Sequence, residues 1–170
     1  MNPLLINAAE LLRRPGSERR FNLEPTIADL GIVDPRFDPD ATVEVSLRLE
    51  SFTDGLVVDG QVSAPWADSC RRCLAPATGV VLGEIRELYQ VVLTDPDAFE
   101  IVADQIDLAA MVREIILLDA PLAPLCRLDC AGLCPTCGID LNTATCDCVT
   151  TVVDPRWEAL SQLKVNLPEQ

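Results

Sequence analysis

Apolar and polar side chains alternate along the middle of the chain, and this alternation predicts paired strands. Between residues 43 and 50 every second side chain is apolar, which is the period of a strand that buries one face. A turn follows at Thr53-Asp54-Gly55, a second apolar run covers residues 56–64 and closes at Pro65, and a third strand-like segment covers about residues 79–93. The pattern predicts an antiparallel meander of at least three strands.

A helical period replaces the strand period further along the chain. Residues 99–102 predict a short fourth strand, Asp107 is placed to cap a helix, and Pro121 is placed to end it. Between these two residues, apolar side chains recur at helical spacing at Leu108, Met111, Val112, Ile115 and Leu118. We expect the helix to cover one face of the sheet, which makes the fold class α+β.

The two ends of the chain carry weaker signals. A short helical pattern covers residues 6–12, and three prolines between residues 25 and 39 then predict a loosely structured lead-in. Near the C-terminus, Asp154-Pro155 predicts the start of another helix. Its apolar residues, which are expected to dock it on the body, are Trp157, Leu160 and Leu163.

Composition narrows the possible function. The 170 residues include 13 basic and 27 acidic side chains and no histidine, which gives a formal net charge of −14. Without histidine, a Ser-His-Asp triad, a Cys-His nucleophile pair and an H-E-x-x-H zinc helix are excluded, so we predict that the protein is not an enzyme. The hydrophobic fraction of 49% suffices for a core, and a pI of about 4.2 argues against general binding to phosphate backbones.

The N-terminus shows no signal-peptide pattern, and no uncharged apolar stretch approaches about 18 residues. We therefore expect a cytoplasmic protein without a membrane span. In a reducing compartment, a high cysteine content indicates metal binding rather than disulfides. The chain has eight cysteines, all candidate metal ligands: Cys70, Cys73, Cys126, Cys130, Cys134, Cys137, Cys146 and Cys148.

Six of these cysteines lie between residues 125 and 149, a segment too poor in large apolar side chains to form its own core. We expect metal to replace hydrophobic burial there. The sequence thus divides into an α+β core domain with an N-terminal arm, residues 1–124, and a zinc-ribbon-like module with the C-terminal helix, residues 125–170.

The strongest single motif is Cys134-Pro135-Thr136-Cys137-Gly138, which is typical of one half of a zinc ribbon. Its complement is Cys146-Asp147-Cys148, although a one-residue gap is unusual and leaves one of these thiols as a possible spare. Cys70, Cys73, Cys126 and Cys130 would then form a second set. The alternative is a single zinc with the other thiols merely buried. A zinc held by four cysteines has no open position and is structural.

Two other roles for the cysteines stay open at this point. Four thiolates can also hold an iron–sulfur cluster. Cys70-Arg71-Arg72-Cys73 has the C-x-x-C spacing of thiol oxidoreductases, but such enzymes place the pair at a helix N-terminus in a βαβ unit, whereas this pair lies between meander strands.

Arginines occur in pairs against the acidic background. They are candidate contacts to nucleic-acid phosphates, although solvated arginines that balance nearby carboxylates are an alternative for each pair. The acidic remainder could instead face a basic protein partner. The paired residues are Arg13 with Arg14, Arg19 with Arg20, and Arg71 with Arg72.

These motifs together resemble the YceD family, the large ribosomal RNA subunit accumulation proteins. The resemblance covers nearly the whole chain, from Leu11-Leu12-Arg13-Arg14-Pro15-Gly16-Ser17 through Cys70-Arg71-Arg72-Cys73-Leu74 to Cys130-Ala131-Gly132-Leu133-Cys134-Pro135-Thr136-Cys137-Gly138 and Leu141-Asn142. Members without the ribbon tend to keep the C-x-x-C with a His or Cys and a second Cys matching Cys126 and Cys130. The resemblance therefore implies one site built from Cys70, Cys73, Cys126 and Cys130.

The resemblance also implies a non-enzymatic bacterial factor for the synthesis, processing or stability of 23S ribosomal RNA. Its implied partners are 23S rRNA or a large-subunit precursor, and a basic large-subunit ribosomal protein, with no small-molecule substrate and no catalytic residues. Two alternatives remain. One is an acidic adapter that holds a ribosomal protein or a ribonuclease, and the other is a thiol oxidoreductase that uses Cys70 and Cys73.

Overall fold

A computed structural model of the protein describes residues 4–148 and residue 156. The predicted C-terminal helix, apart from Arg156, lies outside this part of the chain. The elements are β1 (Leu5–Asn7), α1 (Ala9–Leu12), β2 (Glu18–Leu23), β3 (Glu44–Phe52), β4 (Gly55–Ser69), β5 (Pro76–Gln90), β6 (Phe99–Glu100), β7 (Gln105–Asp107) and α2 (Ala109–Asp119).

A five-stranded sheet in the order β2-β3-β4-β5-β6 forms the body, and β1 and β7 form a separate two-stranded sheet. The β3, β4 and β5 strands are the predicted antiparallel meander, and the α+β class is confirmed. The predicted turn is also present, because Phe52 pairs with Gly55 across Thr53 and Asp54. The short β6 strand runs parallel to β5.

The prediction that the second strand closes at Pro65 is wrong, because β4 continues to Ser69. Pro65 pairs with Val80 of β5, whereas β3 pairs with β4 only as far as Ser63. Ala67, two residues further on, donates its N–H to the carbonyl oxygen of Arg36 (2.9 Å), away from β5. The missing N–H of Pro65 therefore lies on the edge of β4 that faces away from β5, beyond the last residue paired with β3, where proline is tolerated.

The expectation of a loosely structured lead-in is also wrong. β2 pairs with β3 from Glu18↔Glu50 to Leu23↔Val45, which makes it the first strand of the main sheet. The proline-containing segment after β2 contributes to the core through Ile27, Leu30, Ile32 and Phe37, all of which are buried. The helical pattern over residues 6–12 splits into β1 and the short α1, because Ile6 pairs with Ile106 of β7.

Helix α2 packs on the inner face of the sheet, as predicted. The Asp107 side chain accepts the N–H of Ala109 (2.9 Å) at the start of the helix. One predicted core position is wrong: Leu118 is 75% exposed, and Ile116 is fully buried instead. Ile116 continues the four-residue spacing of Leu108 and Val112, which fixes the buried side of this helix. Among the described residues no helix is long and apolar enough to cross a membrane.

Gly83 allows α2 to approach the sheet closely. A Cβ atom at this position would lie 2.2 Å from Cγ2 of Ile115 and 3.1 Å from Cγ1 of Val62. We expect Gly83→Ala to lower the free energy of unfolding by about 1–3 kcal/mol, because the helix must shift outward. Urea denaturation followed by circular dichroism measures this change. Leu82→Ala is the matched control, since Leu82 is 77% exposed, and an equal loss in both variants would contradict the close approach.

Candidate metal centres

The first cysteine group consists of Cys70, Cys73, Cys126 and Cys130. Its first half is the connection between β4 and β5, which is held closed by backbone hydrogen bonds. The N–H of Cys70 donates to the carbonyl oxygen of Ala75 (2.7 Å), and the N–H of Leu74 donates to that of Cys70 (2.9 Å). Leu74 has a positive φ of 63°, which lets the backbone turn sharply after Cys73.

The second half of this group comes from the segment that follows α2. The N–H of Arg71 donates to the carbonyl oxygen of Pro124 (2.9 Å) and so joins the two segments. The Sγ atoms of Cys73 and Cys126 are 3.5 Å apart, and those of Cys70 and Cys130 are 3.8 Å apart. A tetrahedral zinc centre with bonds of about 2.3 Å requires about 3.8 Å between its sulfur atoms. The group therefore has the dimensions of a tetrahedral thiolate site.

The second cysteine group consists of Cys134, Cys137, Cys146 and Cys148, whose Sγ atoms lie within 4.8 Å of one another. The N–H of Cys134 donates to the carbonyl oxygen of Ile139, and the N–H of Gly138 donates to that of Cys134, both at 2.9 Å. Gly138 has a φ of 74°, which glycine adopts without strain. Cys146 and Cys148 both belong to the group, so neither of them is a spare thiol in spite of the one-residue gap between them.

All eight cysteines are free thiols. The two sulfur separations given above for the first group are well above the disulfide bond length of about 2.05 Å, so four-coordinate metal binding suits this arrangement better than disulfides do. Among the residues that the structure describes, no carboxylate joins either group, and the chain has no histidine. A metal ion held in either group would have a closed, all-sulfur coordination shell.

The thiols within each group differ strongly in acidity. Burial raises the pKa of Cys70, but the N–H groups of Cys126, Cys73 and Arg72 outweigh burial and lower this pKa to about 6. The N–H groups of Cys137 and Thr136 likewise lower the pKa of Cys134 to about 6. A hydrogen bond with Cys73 raises the pKa of Cys126 to about 12.

In the second group, a hydrogen bond with Cys137, together with burial, raises the pKa of Cys148 to about 12. Each group therefore combines a thiol that ionises readily with one that resists ionisation beside its neighbours. A bound divalent cation supplies the positive charge that allows four thiolates to coexist.

The predicted arginine contacts fall into two separate regions. Arg71 and Arg72 are exposed in the loop of the first cysteine group. The Arg72 guanidinium donates from Nη1 to the carbonyl oxygen of Cys130 (2.9 Å), so this side chain also stabilises the cysteine site. Within residues 4–148, the Arg71 side chain has no ion pair or hydrogen bond and is free to contact a partner.

The N-terminal arginines lie far from this loop. Arg13 and Arg14 follow α1 and are exposed, whereas Arg19 pairs with Glu10 (3.2 Å) and Arg20 with Glu18 (3.9 Å). Arg20 is in register with Arg48, which is in register with Asp59 of β4. Ser69, at the end of β4 next to Cys70, lies about 33 Å further along a straight strand. The structure therefore does not combine the six arginines into one surface.

Asn142 is a functional candidate whose role no sequence pattern indicates. Its Nδ2 atom lies 3.5 Å from Sγ of Cys130, although Asn142 belongs to the loop of the second cysteine group. The motif Leu141-Asn142 was informative only as part of the family pattern, because no rule of spacing connects an asparagine to a cysteine of the other group.

The fold and these sites define a class of protein: an α+β domain with two four-cysteine groups able to hold metal. A family model described as "Large ribosomal RNA subunit accumulation protein YceD" matches residues 58–164. The chain belongs to this family. The family name connects its members with the accumulation of large-subunit ribosomal RNA.

Individual relatives support the same assignment. An uncharacterized protein of Mycobacterium tuberculosis is 35% identical over 172 residues, which covers 95% of this chain and 82% of the relative. An uncharacterized protein of Mycobacterium leprae is 30% identical and covers 96% of this chain and 78% of its own. The chloroplastic "Large ribosomal RNA subunit accumulation protein YCED homolog 1" of Arabidopsis thaliana is 27% identical over 66 residues, 39% of this chain and 21% of its own. No solved structure matches the chain.

Proposed function

We propose that this protein is a non-enzymatic, cytoplasmic factor for the biogenesis of the large ribosomal subunit, which acts on 23S rRNA or a precursor particle. The observation that carries this proposal is the family match, which covers most of the chain and includes both cysteine groups. The two cysteine groups agree with the proposed non-enzymatic role, because closed four-cysteine centres stabilise structure and offer no position for a substrate.

We propose zinc as the metal of both groups. The sulfur separations in the first group suit tetrahedral coordination, and zinc has no geometric preference of its own that these sites would oppose. Each centre would carry a net charge of about −2, because four thiolates surround one divalent ion. The metal would hold the loop of residues 70–75 rigid and so fix the direction in which Arg71 projects.

Arg71 is the foremost candidate for an RNA contact. It is exposed in that loop and unpaired among the described residues, whereas Arg19 and Arg20 are balanced by neighbouring carboxylates. Arg13 and Arg14 remain secondary candidates. Because the net charge of −14 repels phosphates over most of the surface, we propose local positioning contacts rather than a broad basic interface.

The same acidic charge favours a second candidate function, an adapter that binds a basic ribosomal protein or a ribonuclease. The adapter would affect 23S rRNA only through that partner. Salt-sensitive binding to such a protein, together with no binding to naked rRNA, would favour the adapter over direct RNA contact.

A gene-deletion strain tests the proposed role. Without the gene, we expect 23S rRNA to decrease relative to 16S rRNA and large-subunit precursors to accumulate, and the parent gene should restore both. We expect Arg71→Glu to restore them poorly and to weaken cross-linking to rRNA by about three- to tenfold, because one phosphate contact becomes a repulsion. RNA electrophoresis and sucrose-gradient profiles provide the measurements.

Arg86→Glu is the matched control, since it makes the same charge reversal at an exposed position on β5. An unchanged 23S rRNA level in the deletion strain would contradict the proposed role. A full restoration by Arg71→Glu would contradict only the proposed contact.

A further inference from the structure

The side chain of Asn142 extends from the second cysteine group to the first. It lies in the turn formed by residues 141–143, between Cys137 and Cys146. Its Nδ2 atom donates to Sγ of Cys130 at 3.5 Å, and Cys130 is only 2% exposed. A sulfur atom this deeply buried has little access to water, so the amide is an important hydrogen-bond donor to it.

All four hydrogen-bonding positions of the Asn142 carboxamide are occupied. Nδ2 also donates to Oδ1 of Asp140 (2.6 Å), while Oδ1 accepts from the N–H of Ala131 and from Nη2 of Arg127, both at 2.8 Å. A carboxamide has two N–H donors and two acceptor lone pairs. The orientation of the amide is therefore fixed, because exchanging its oxygen and nitrogen would place N–H groups against the two donors.

Three of these four partners lie in the segment after α2 that carries Cys126 and Cys130. They are Arg127, Cys130 and Ala131. An N–H donor disperses the negative charge of a thiolate ligand and holds its sulfur in place. The same carboxamide accepts a hydrogen bond from the Arg127 guanidinium, which also pairs with Asp129 (3.3 Å). One side chain thus gives the first group a hydrogen-bond donor and links two further residues of the segment that carries Cys126 and Cys130.

The position of Asn142 in turn depends on the second cysteine group. The N–H of Leu141 donates to the carbonyl oxygen of Gly132 (2.9 Å), and Leu133 forms a β-bridge with Asp140. The Cys134–Ile139 hydrogen bond described above closes the knuckle immediately before this turn. When the four cysteines of the second group are held together, the turn and its asparagine are held beside Cys130.

We infer that Asn142 is a positioning residue that couples the two cysteine groups, so that metal binding in the second group raises the metal affinity of the first. The inference rests on the proposed metal binding by both groups. Coupling of this kind is reciprocal, so metal in the first group raises the affinity of the second by the same factor. Loss of a partner that hydrogen-bonds a metal ligand lowers metal affinity by about ten- to a hundredfold.

The test measures the metal affinity of the first group in four forms of the full chain: the parent, Asn142→Ala, Cys148→Ser and the double variant. Competition with a zinc chelator gives the affinities, and cadmium NMR assigns each bound ion to its group. We expect each single variant to bind metal in the first group about ten- to a hundredfold more weakly than the parent. The double variant should be no weaker than Cys148→Ser alone, because both changes remove the same contact.

Two further variants separate this role from general damage to the turn. Asn142→Asp keeps the acceptor oxygen but loses the donor to Cys130, so we expect it to weaken the first group at least as much as Asn142→Ala. Thr143→Ala changes the same turn and removes a hydroxyl that donates to the carbonyl oxygen of Asp140 (3.3 Å) and not to the first group, so it should leave the affinity unchanged. Circular dichroism checks that every variant keeps the folded sheet.

The possible results separate the coupling from the metal centres themselves. If the first group of Cys148→Ser binds metal with the same affinity as the first group of the parent, the coupling is overturned. Losses that multiply in the double variant would overturn Asn142 as its carrier. A parent chain that binds no metal would instead overturn the proposed metal centres, and this inference with them.

Discussion

Replacing Cys70 with serine is expected to remove one metal ion per chain and to lower the melting temperature by about 10 °C or more. Cys70 is fully buried at the end of β4, and its sulfur lies 3.8 Å from that of Cys130. Serine cannot replace the thiolate, so the remaining three thiols of the group lose the cation that compensates their charge. The segment after α2 would then lose its attachment to the β4–β5 connection.

Elemental mass spectrometry on protein purified without a chelator measures the metal content, and calorimetry measures the melting temperature. We expect two zinc ions in the parent and one in Cys70→Ser. Ser69→Ala, a change at the neighbouring exposed residue, should keep both ions. A parent chain without metal that forms a reversible disulfide between Cys70 and Cys73 would contradict the metal centres and would favour thiol–disulfide chemistry instead.

The second large effect is expected in the core, where Tyr89→Ala should lower the free energy of unfolding by about 3–5 kcal/mol. Tyr89 is 1% exposed, and its ring stacks on Phe99 of β6 with 5.2 Å between the ring centroids. Its hydroxyl donates to the carbonyl oxygen of Asp107 (3.2 Å) just before α2. Burial, followed by the charges of Glu87 and Asp107, raises the pKa of the Tyr89 hydroxyl, so it remains a neutral donor near neutral pH.

Tyr89→Phe is the matched control, because it keeps the ring and removes only the hydroxyl. We expect this variant to lose about 1 kcal/mol. Urea denaturation curves give both values. Similar small losses in the two variants would show that the ring contributes little, contrary to its burial and its stacking on Phe99.

The elements that the sequence predicted best are those with strong local patterns. The alternation in β3 and the spacing of Leu108, Met111 and Val112 each reflect one buried face, so neighbouring residues suffice to recognise them. β2 was not predicted because the adjacent charged residues Arg19 and Arg20 interrupt the alternation of apolar and polar side chains. In addition, the segment with three prolines separates β2 from its partner β3 in the sequence. The parallel pairing of β5 with β6 depends on tertiary contacts that no local pattern reports.

In the candidate site, too, local patterns could be predicted from the sequence and tertiary contacts could not. Cysteine spacing and family resemblance indicated the two sets of four sulfurs that the structure brings together. The bond from Arg72 to the carbonyl oxygen of Cys130 and the contacts of Asn142 could not be predicted, because both join residues of different segments. The division of the chain after residue 124 remains a proposal, and the first group takes two cysteines from each side of it.

The two cysteine groups also differ in how much of the chain must be in place before each can close. Cys134 and Cys148 are 14 positions apart, whereas Cys70 and Cys130 are separated by 60. Closing the longer loop costs about 1 kcal/mol more in chain entropy, and the residues between its ends include β5 and α2. We expect the second group to close within one local segment during synthesis, because residues 134–148 supply all four of its sulfur atoms. We expect the first group to close only when β4 and β5 are paired and the segment after α2 has docked on their connection, so metal binding in this group reports the assembly of distant parts of the chain.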